Sequence, residues 1–246
     1  MSSERVAHEI AHGKFLAESD PELIWGWGTP AGRLRAERRG QIIAAGAQLG
    51  PGRRALEIGC GTGLFTEMFA QSGAALIAVD ISGALLARAR ARGLPEDRVQ
   101  FLEKRFEECD LEAPFDAVIG SSVLHHLEIR PTLEKIYALL KPGGVLSFAE
   151  PNMLNPQIMI QKNIPWIKEK LGDSPDETAF MRWQFQALLG QIGFHRIEIT
   201  PFDWLHPATP RPFIAGVRRL GQGLERIPGL REFAGSLHIR ACRPPE

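Results

Sequence analysis

Three cysteines in 246 residues, Cys60, Cys109 and Cys242, leave little room for sulfur chemistry. Their number is odd and they are scattered, so they form neither a disulfide framework nor a metal-ligand spacing. A reducing, cytoplasmic compartment is expected from that usage. Excess charge is missing as well. Lys plus Arg and Asp plus Glu both number 29, which denies the chain the overall positive field that nucleic acid attracts. No apolar run reaches transmembrane length, and the first residues lack the apolar centre of a secretion signal. Internal repeats and low-complexity segments are absent too. The length suits one α/β domain with additions and suffices for a full core.

Against that plain background one stretch stands out, Ala55-Leu56-Glu57-Ile58-Gly59-Cys60-Gly61-Thr62-Gly63-Leu64. A short apolar run enters three glycines spaced two apart, and a helical pattern follows from Leu64 to Gln71. The pattern predicts strand, turn and helix. Glycines let backbone pass close to a ligand and take φ values that a Cβ disfavours. The helix begins with free N–H groups facing that ligand. A second strand, Ala74 to Val79, runs into Asp80, seventeen residues after Gly63. An acid at that tip can accept hydrogen bonds from a ribose diol, so a nucleoside-containing ligand is favoured. The dinucleotide fingerprint is G-x-G-x-x-G. Here the order is Glu57-x-Gly59-x-Gly61-x-Gly63, which argues against a nicotinamide-dependent oxidoreductase.

The remaining elements follow in order. Residues 4–20 carry Val6, Ile10, Phe15 and Leu16 among charges and predict an amphipathic helix. His8 and His12 lie one turn apart there, but no third ligand is near and no metal is expected. Trp25-Gly26-Trp27-Gly28 suits a lid over a cavity or a cover for the sheet edge. Of Arg33, Arg35, Arg38 and Arg39, most belong to a solvated face, and Arg38 is chosen as the one that reaches a carboxylate, either of the cofactor's methionine end or of the substrate. Strand three is Val99 to Leu102. Strand four starts at Asp116 and runs to Ser121 and on into Val123-Leu124-His125-His126. A helix from Pro131 to Leu140 closes at Lys141-Pro142-Gly143-Gly144. Strand five, Val145 to Ala149, ends at Glu150. Residues 152–175 form a cap or substrate-binding insertion. Ser174-Pro175-Asp176-Glu177 reads as a capping box opening a helix to about Gln191. Strand six is Gly193 to Thr200, and a loop with Asp203 and His206 follows. An amphipathic stretch carries Phe213, Val217, Leu220, Leu224 and Ile227 on one face. The last strand, Ser236 to Ala241, pairs antiparallel with strand six.

The Glu57–Gly63 run resembles motif I of the class I S-adenosylmethionine-dependent methyltransferases, in their small-molecule branch. The Val-Leu-His-His segment after strand four and the Lys-Pro-Gly-Gly turn are similar to that family too. The resemblance is strong over about residues 50–150 and extends by strand pattern over 176–241. It implies a Rossmann-like, doubly wound, seven-stranded and mainly parallel sheet with an antiparallel last strand. It further implies an N-terminal helical lid in 1–48 and an S-adenosylmethionine-binding domain in 49–246. By the same resemblance Glu57, Gly59, Cys60, Gly61 and Gly63 face the methionine part of the cofactor. Asp80 faces the ribose, Ile81 and Phe106 the adenine, and Ser121 the sulfonium. One residue departs from the pattern. Arg105 stands where many members carry an Asp against the adenine amino group, which leaves the Phe106 N–H to serve a ring nitrogen.

Methyl transfer from a sulfonium is an in-line displacement in which the protein mainly positions the nucleophile. A hydroxyl or carbon acid also needs a general base, and histidine titrates in the right range. His126 and His206 rank first for that role, then His125. Trp25, Trp27, Arg38, Glu150 and Asp203 are expected in the acceptor pocket. The expected acceptor is a small molecule, lipid-like or a natural product, attacked at O, N or C. A non-catalytic S-adenosylmethionine-binding partner module and a protein methyltransferase are the alternatives. A nucleic-acid substrate is disfavoured, because no Asn/Asp-Pro-Pro-aromatic motif follows strand four and no Pro-Cys is present. Residues 211–243 hold seven arginines and two glutamates. Packing of that segment on its own domain is favoured over peripheral contact with a membrane. The sequence leaves the oligomeric state open.

Overall fold

Helices and strands alternate around one twisted sheet in the computed structural model, which describes residues 10–246 apart from 12, 15, 17, 165 and 168–178. His8, His12, Val6 and Phe15 of the expected N-terminal helix lie outside the described residues. So does the capping box Ser174–Glu177.

Asp20 opens α1 (Pro21–Ile24) by accepting from the Leu23 N–H. Thr29 opens α2 (Pro30–Gly46), with its hydroxyl accepting from Gly32 N at 2.9 Å and Pro30 in the first turn, where its missing N–H costs nothing. Then follow β1 (Arg54–Ile58), α3 (Leu64–Ala70), β2 (Ala75–Asp80), α4 (Gly83–Arg90) and β3 (Val99–Glu103). The second half contains β4 (Phe115–Ser121), α5 (Ile129–Leu139), β5 (Leu140–Pro151), α6 (Pro156–Asn163), α7 (Arg182–Ile192), β6 (His195–Phe202), α8 (Arg211–Leu224) and β7 (Ser236–Cys242).

The sheet order is β3-β2-β1-β4-β5-β7-β6. β1 to β5 are parallel, and β7 runs antiparallel between β5 and β6. This is the seven-stranded doubly wound sheet that the family resemblance implies. Both faces are covered, so the central strands read as largely apolar runs rather than alternating, with Glu57, Asp116, Ser147 and Glu150 among the exceptions. Period two still assigns the faces. Leu56, Val118, Leu146 and Phe148 pack with Leu133 and Ile136 of α5 and Phe185 and Leu189 of α7. Ala55, Ala117, Ile119 and Ala149 pack on the other side with Ile43 of α2 and Phe65 and Phe69 of α3.

The Lys141–Gly144 segment differs from a simple turn. Leu140 already pairs with Phe115, and β5 is kinked through Gly143, at φ +76°, before it resumes at Val145. The Gly143 N–H donates to Arg243 O at 3.0 Å, so the kink is tied to the end of β7. No helix among the described residues is long and apolar enough to cross a membrane.

Strand order reverses between β1 and β4, and ligands of such sheets bind beyond the strand ends at that reversal. Phe148 lies at the middle of this framework with no exposed surface. Phe148→Ala should lower stability by about 3–5 kcal/mol, read as a fall in the urea midpoint at constant m. A loss below about 1 kcal/mol would show that the sheet does not depend on this packing.

Candidate active site

The floor of the crevice is backbone. Gly59, Gly61 and Gly63 have φ of +69°, +53° and +75°. A Cβ on Gly59 would sit 2.3 Å from Val123 Cγ2, so the turn and the loop after β4 touch without a side chain between them. The Asp80 carboxylate, at the tip of β2, braces the turn. Its Oδ2 accepts from Gly61 N and its Oδ1 from Ser82 N, both at 2.8 Å. Each oxygen keeps a second lone pair. Burial pushes the Asp80 carboxyl up, and the Ser82 and Gly61 N–H groups hold part of that rise back.

A strap closes over this floor. The Trp25 ring lies 3.3 Å from where a Gly61 Cβ would stand. Thr62 Oγ1 donates to Glu22 Oε1 at 3.2 Å, and Arg92 ion-pairs with Glu22 and Glu67. Beyond the tryptophans, Thr29 Oγ1 donates to Pro207 O at 2.7 Å. Trp27 meets Phe65 edge-on, with the Arg35 and Arg39 guanidinium groups over its ring at 5.2 and 5.6 Å. Floor and strap enclose a cavity of about 690 Å³.

Of the residues expected at the cofactor, Gly59, Cys60, Gly61, Asp80, Ile81, Arg105, Phe106 and Ser121 line this cavity. Gly63 starts α3 just behind it. The Arg105 head is occupied by Glu108 at 2.6 Å. Burial raises the Cys60 thiol well above its ordinary range, with the Asp80 and Glu57 charges adding to it, so it is inert at neutral pH. Glu57 lies beneath the turn rather than in the cavity wall, 2 % exposed. Burial raises its carboxyl from 4.5 to about 8; the nearby Thr66 hydroxyl offsets part of this and Asp80 adds to it. Neither Glu57 Oε2 nor Thr66 Oγ1 has a regular hydrogen-bond partner.

On the acceptor side three expectations change. Arg38 points away from the cavity and holds Glu225 through both carboxylate oxygens, at 2.8 and 2.5 Å. Arg39, one residue on, lines it, as does Arg35. Arg39 is 2 % exposed and donates to the hydroxyls of Ser121, Ser122 and Ser236 and to Ala149 O, at 2.6–3.0 Å. Burial pulls Arg39 down to about 10, with the charges of Glu150 and Asp203 opposing, so it stays cationic at neutral pH. A signal for it was present. Ala36, Arg39, Gly40 and Ile43 form the buried face of α2, and Arg38 falls off that face.

Glu150 is the second change. It has no exposed surface and does not line the cavity. Its Oε1 accepts from Val123 N and Leu124 N at 3.0 Å, and its Oε2 lies 2.7 Å from His125 Nδ1. Burial alone would raise this carboxyl; the His125 contact and the two N–H groups more than reverse that and hold it low. A carboxylate there fixes the His125 tautomer with the proton on Nδ1. His125 and His126 both line the cavity, their rings 4.3 Å apart.

His206 is the third. It lines the mouth of the cavity from an exposed loop. Its Nδ1 lies 3.1 Å from Ala208 N and its Nε2 2.9 Å from the Gln157 amide nitrogen, so both ring nitrogens are engaged by the protein rather than open to an acceptor hydroxyl. Asp203, at φ +75°, lines the same region, with its carboxylate bound by Arg35 Nε at 2.7 Å.

Tyr137 and Lys141 have the Tyr-x-x-x-Lys spacing found in some nicotinamide-dependent reductases. Tyr137 instead packs edge-on against Phe194 beneath Arg243, and neither residue lines the cavity.

Comparison with known proteins agrees with this geometry. A family model described as a methyltransferase domain matches residues 56–146. A ubiquinone biosynthesis O-methyltransferase of Xylella fastidiosa is 38 % identical over 186 residues, covering 73 % of this chain and 65 % of that protein. Nodulation protein S of Sinorhizobium fredii is 28 % identical over 145 residues, covering 57 % of this chain and 64 % of that protein. The chain thus spans just under two thirds of the length of these two relatives. Among solved structures, the N-methyltransferase NodS of Bradyrhizobium japonicum, in complex with S-adenosylhomocysteine, superposes with a TM-score of 0.65. It is 17 % identical and covers 96 % of this chain and 99 % of that one, a likeness of fold.

The buried Glu57 generates a test. The folded protein keeps a proton there that the unfolded chain releases above about 4.5. This contribution to stability is therefore complete below about 4.5 and is lost as pH rises to about 8. Relative to Glu57→Gln, the wild-type melting temperature should fall across that interval. Parallel curves for the two proteins would mean that Glu57 titrates normally.

Proposed function

We propose, for a chain that belongs to the class I S-adenosylmethionine-dependent methyltransferases, that it methylates a hydroxyl oxygen of a small, largely apolar acceptor. When bound, S-adenosylmethionine supplies a methyl group on a positively charged sulfur whose departure as a thioether is easy. The observation that carries the reading is the Asp80 carboxylate joined to the Gly61 and Ser82 N–H groups at the edge of a cavity floored by positive-φ glycines.

The residues of that floor fit the cofactor. Bare backbone at Gly59 and Gly61 admits an extended ligand where a Cβ would already collide or crowd. The second lone pairs on Asp80 suit two ribose hydroxyls. Ile81 and Phe106 supply an apolar slot for adenine, and the Arg105 guanidinium borders it. Ser121 stands at the sulfonium side, its hydroxyl held by Arg39. The unpartnered Glu57 oxygen under the turn is an acceptor for a water that bridges to the ammonium end.

The acceptor side is walled by Trp27, Leu205, Ile158, Asp203, His206 and Ser236. Trp25 and Trp27 act as a lid within the N-terminal segment, and α6, which lines the cavity with Gln157, Ile158 and Lys162, acts as a cap. Both exclude water from the displacement, and the walls hold the nucleophile in line. A hydroxyl must lose its proton as it attacks, which is where the histidine pair enters. Glu150 orients His125, and the same loop carries His126. We assign the general base to this pair and leave His206 at the mouth. The oxygen-methylating relative named for ubiquinone biosynthesis supports this choice of atom.

Calorimetric titration is the test. S-adenosylmethionine and S-adenosylhomocysteine should bind, NADH should not, and Asp80→Ala should weaken the first two at least about tenfold. Unchanged affinity would remove Asp80 from the site, and binding without turnover on a broad hydroxyl panel would favour a non-catalytic module. Once an acceptor is found, His125→Ala and His126→Ala should lower kcat by about 10²–10⁴-fold together and spare cofactor binding. Full turnover in the double variant would leave positioning alone.

A further inference from the structure

Among the described residues, an uncovered apolar surface runs along α8 and the turn that follows it. Only Ile214 and Gly221 of this helix are buried, against the Leu205 cluster and Trp204. The next side chains around the helix are not covered. Phe213 is 63 % exposed and Leu220 65 %, and Ile227, Leu230 and Phe233 continue the line at 44–46 %. Positions 213 and 220 are seven apart within the helix, so they share one edge, and Ile227 lies in the turn that follows.

This edge is flanked by cations. Arg211, Arg218, Arg219 and Arg226 are exposed, and no carboxylate of a described residue pairs with any of them. The two acids of the segment are used elsewhere: Glu225 holds Arg38, and Glu232 holds Arg182 and Arg231. On a chain of formal net charge zero this is a local concentration of positive charge beside bare apolar side chains.

The same surface adjoins the cavity mouth. The His206–Ala208 loop lines the mouth and leads into α8. Asn155, at the head of α6, donates to Phe233 O at 2.8 Å. α6 lines the mouth with Ile158 and Lys162, while its Met159 and Ile160 are exposed.

We propose that this face docks on an anionic lipid bilayer, with the edge of α8 seated in the headgroup boundary. Seating α8 and α6 there turns the cavity mouth toward the membrane. The acceptor then arrives from the lipid phase, a clause that rests on the methyl-transfer reading, whereas the docking does not. A protein groove that grips a helix needs a continuous apolar face. Here Val217 and Leu224 are half-covered by the chain itself, and only the edge remains. A bilayer needs no more than a shallow apolar edge with flanking arginines. Packing of α8 on its own domain, preferred from sequence, accounts for one side of the helix and leaves the other unpartnered.

Co-sedimentation of the full chain with vesicles tests this. Vesicles of phosphatidylcholine with about a third phosphatidylglycerol should bind the protein, and pure phosphatidylcholine should bind it far less. High salt should weaken binding several-fold. Arg218→Glu/Arg219→Glu and Phe213→Ser/Leu220→Ser should each weaken it on the order of tenfold or more. Both variants should keep the wild-type melting temperature and cofactor affinity. No binding to anionic vesicles, equal binding to neutral ones, or wild-type binding by both variants overturns the proposal. A dimer seen by light scattering and broken by Phe213→Ser/Leu220→Ser would assign the face to a second copy and overturn it too. Docking that survives while no transfer is ever found would strike only the assigned reaction.

Discussion

A carboxylate with no exposed surface holds this site together. Glu150, at the end of β5, meets the Val123 and Leu124 N–H groups and the His125 ring. Burying a charge is costly, and three hydrogen bonds to the charged form are what offset it. The consequence travels across the sheet. Glu150 fixes Val123, Val123 fills the space over Gly59 where no Cβ fits, and the glycine turn is then closed by Asp80 through Gly61 N. β5, β4, β1 and β2 are coupled in that order by contacts that leave almost no slack.

The arginines of α2 divide a second task. Arg38 clamps Glu225 and so ties α2 to the residue after α8. Arg35 holds Asp203 in a left-handed conformation beneath Trp27. Arg39 is held by three hydroxyls and a carbonyl, all neutral, and the Glu150 and Asp203 carboxylates help to keep it charged where β4, β5 and β7 converge. The tethers from Thr62 to Glu22 and from Thr29 to Pro207 keep the tryptophan strap over the cavity.

Most of the fold was legible because its signals are local. The apolar run into Gly59, Gly61 and Gly63 requires a strand, a tight turn and a helix in whatever context it occurs. The placement of Asp80 at the next strand tip follows from the lengths between them. Strand boundaries moved by one or two residues, and the larger difference, β5 starting at Leu140, comes from pairing with Phe115 across the sheet. No local pattern reports that partner. The side of α2 that is buried was written in Ala36, Gly40 and Ile43, and Arg39 could have been read from it. Which of four neighbouring arginines reach the cavity depends on where the helix packs.

The sequence by itself determined the order of elements, the glycine floor and the acid at the second strand, since backbone sterics and periodicity act over a few residues. Tertiary structure decided the rest. It assigned Glu150 to His125 rather than to an acceptor and turned Arg38 to Glu225. It also left one edge of α8 uncovered, with arginines around it. Each of these depends on groups tens of residues apart meeting within about 3 Å, or failing to meet, and that is settled only when the whole chain has packed.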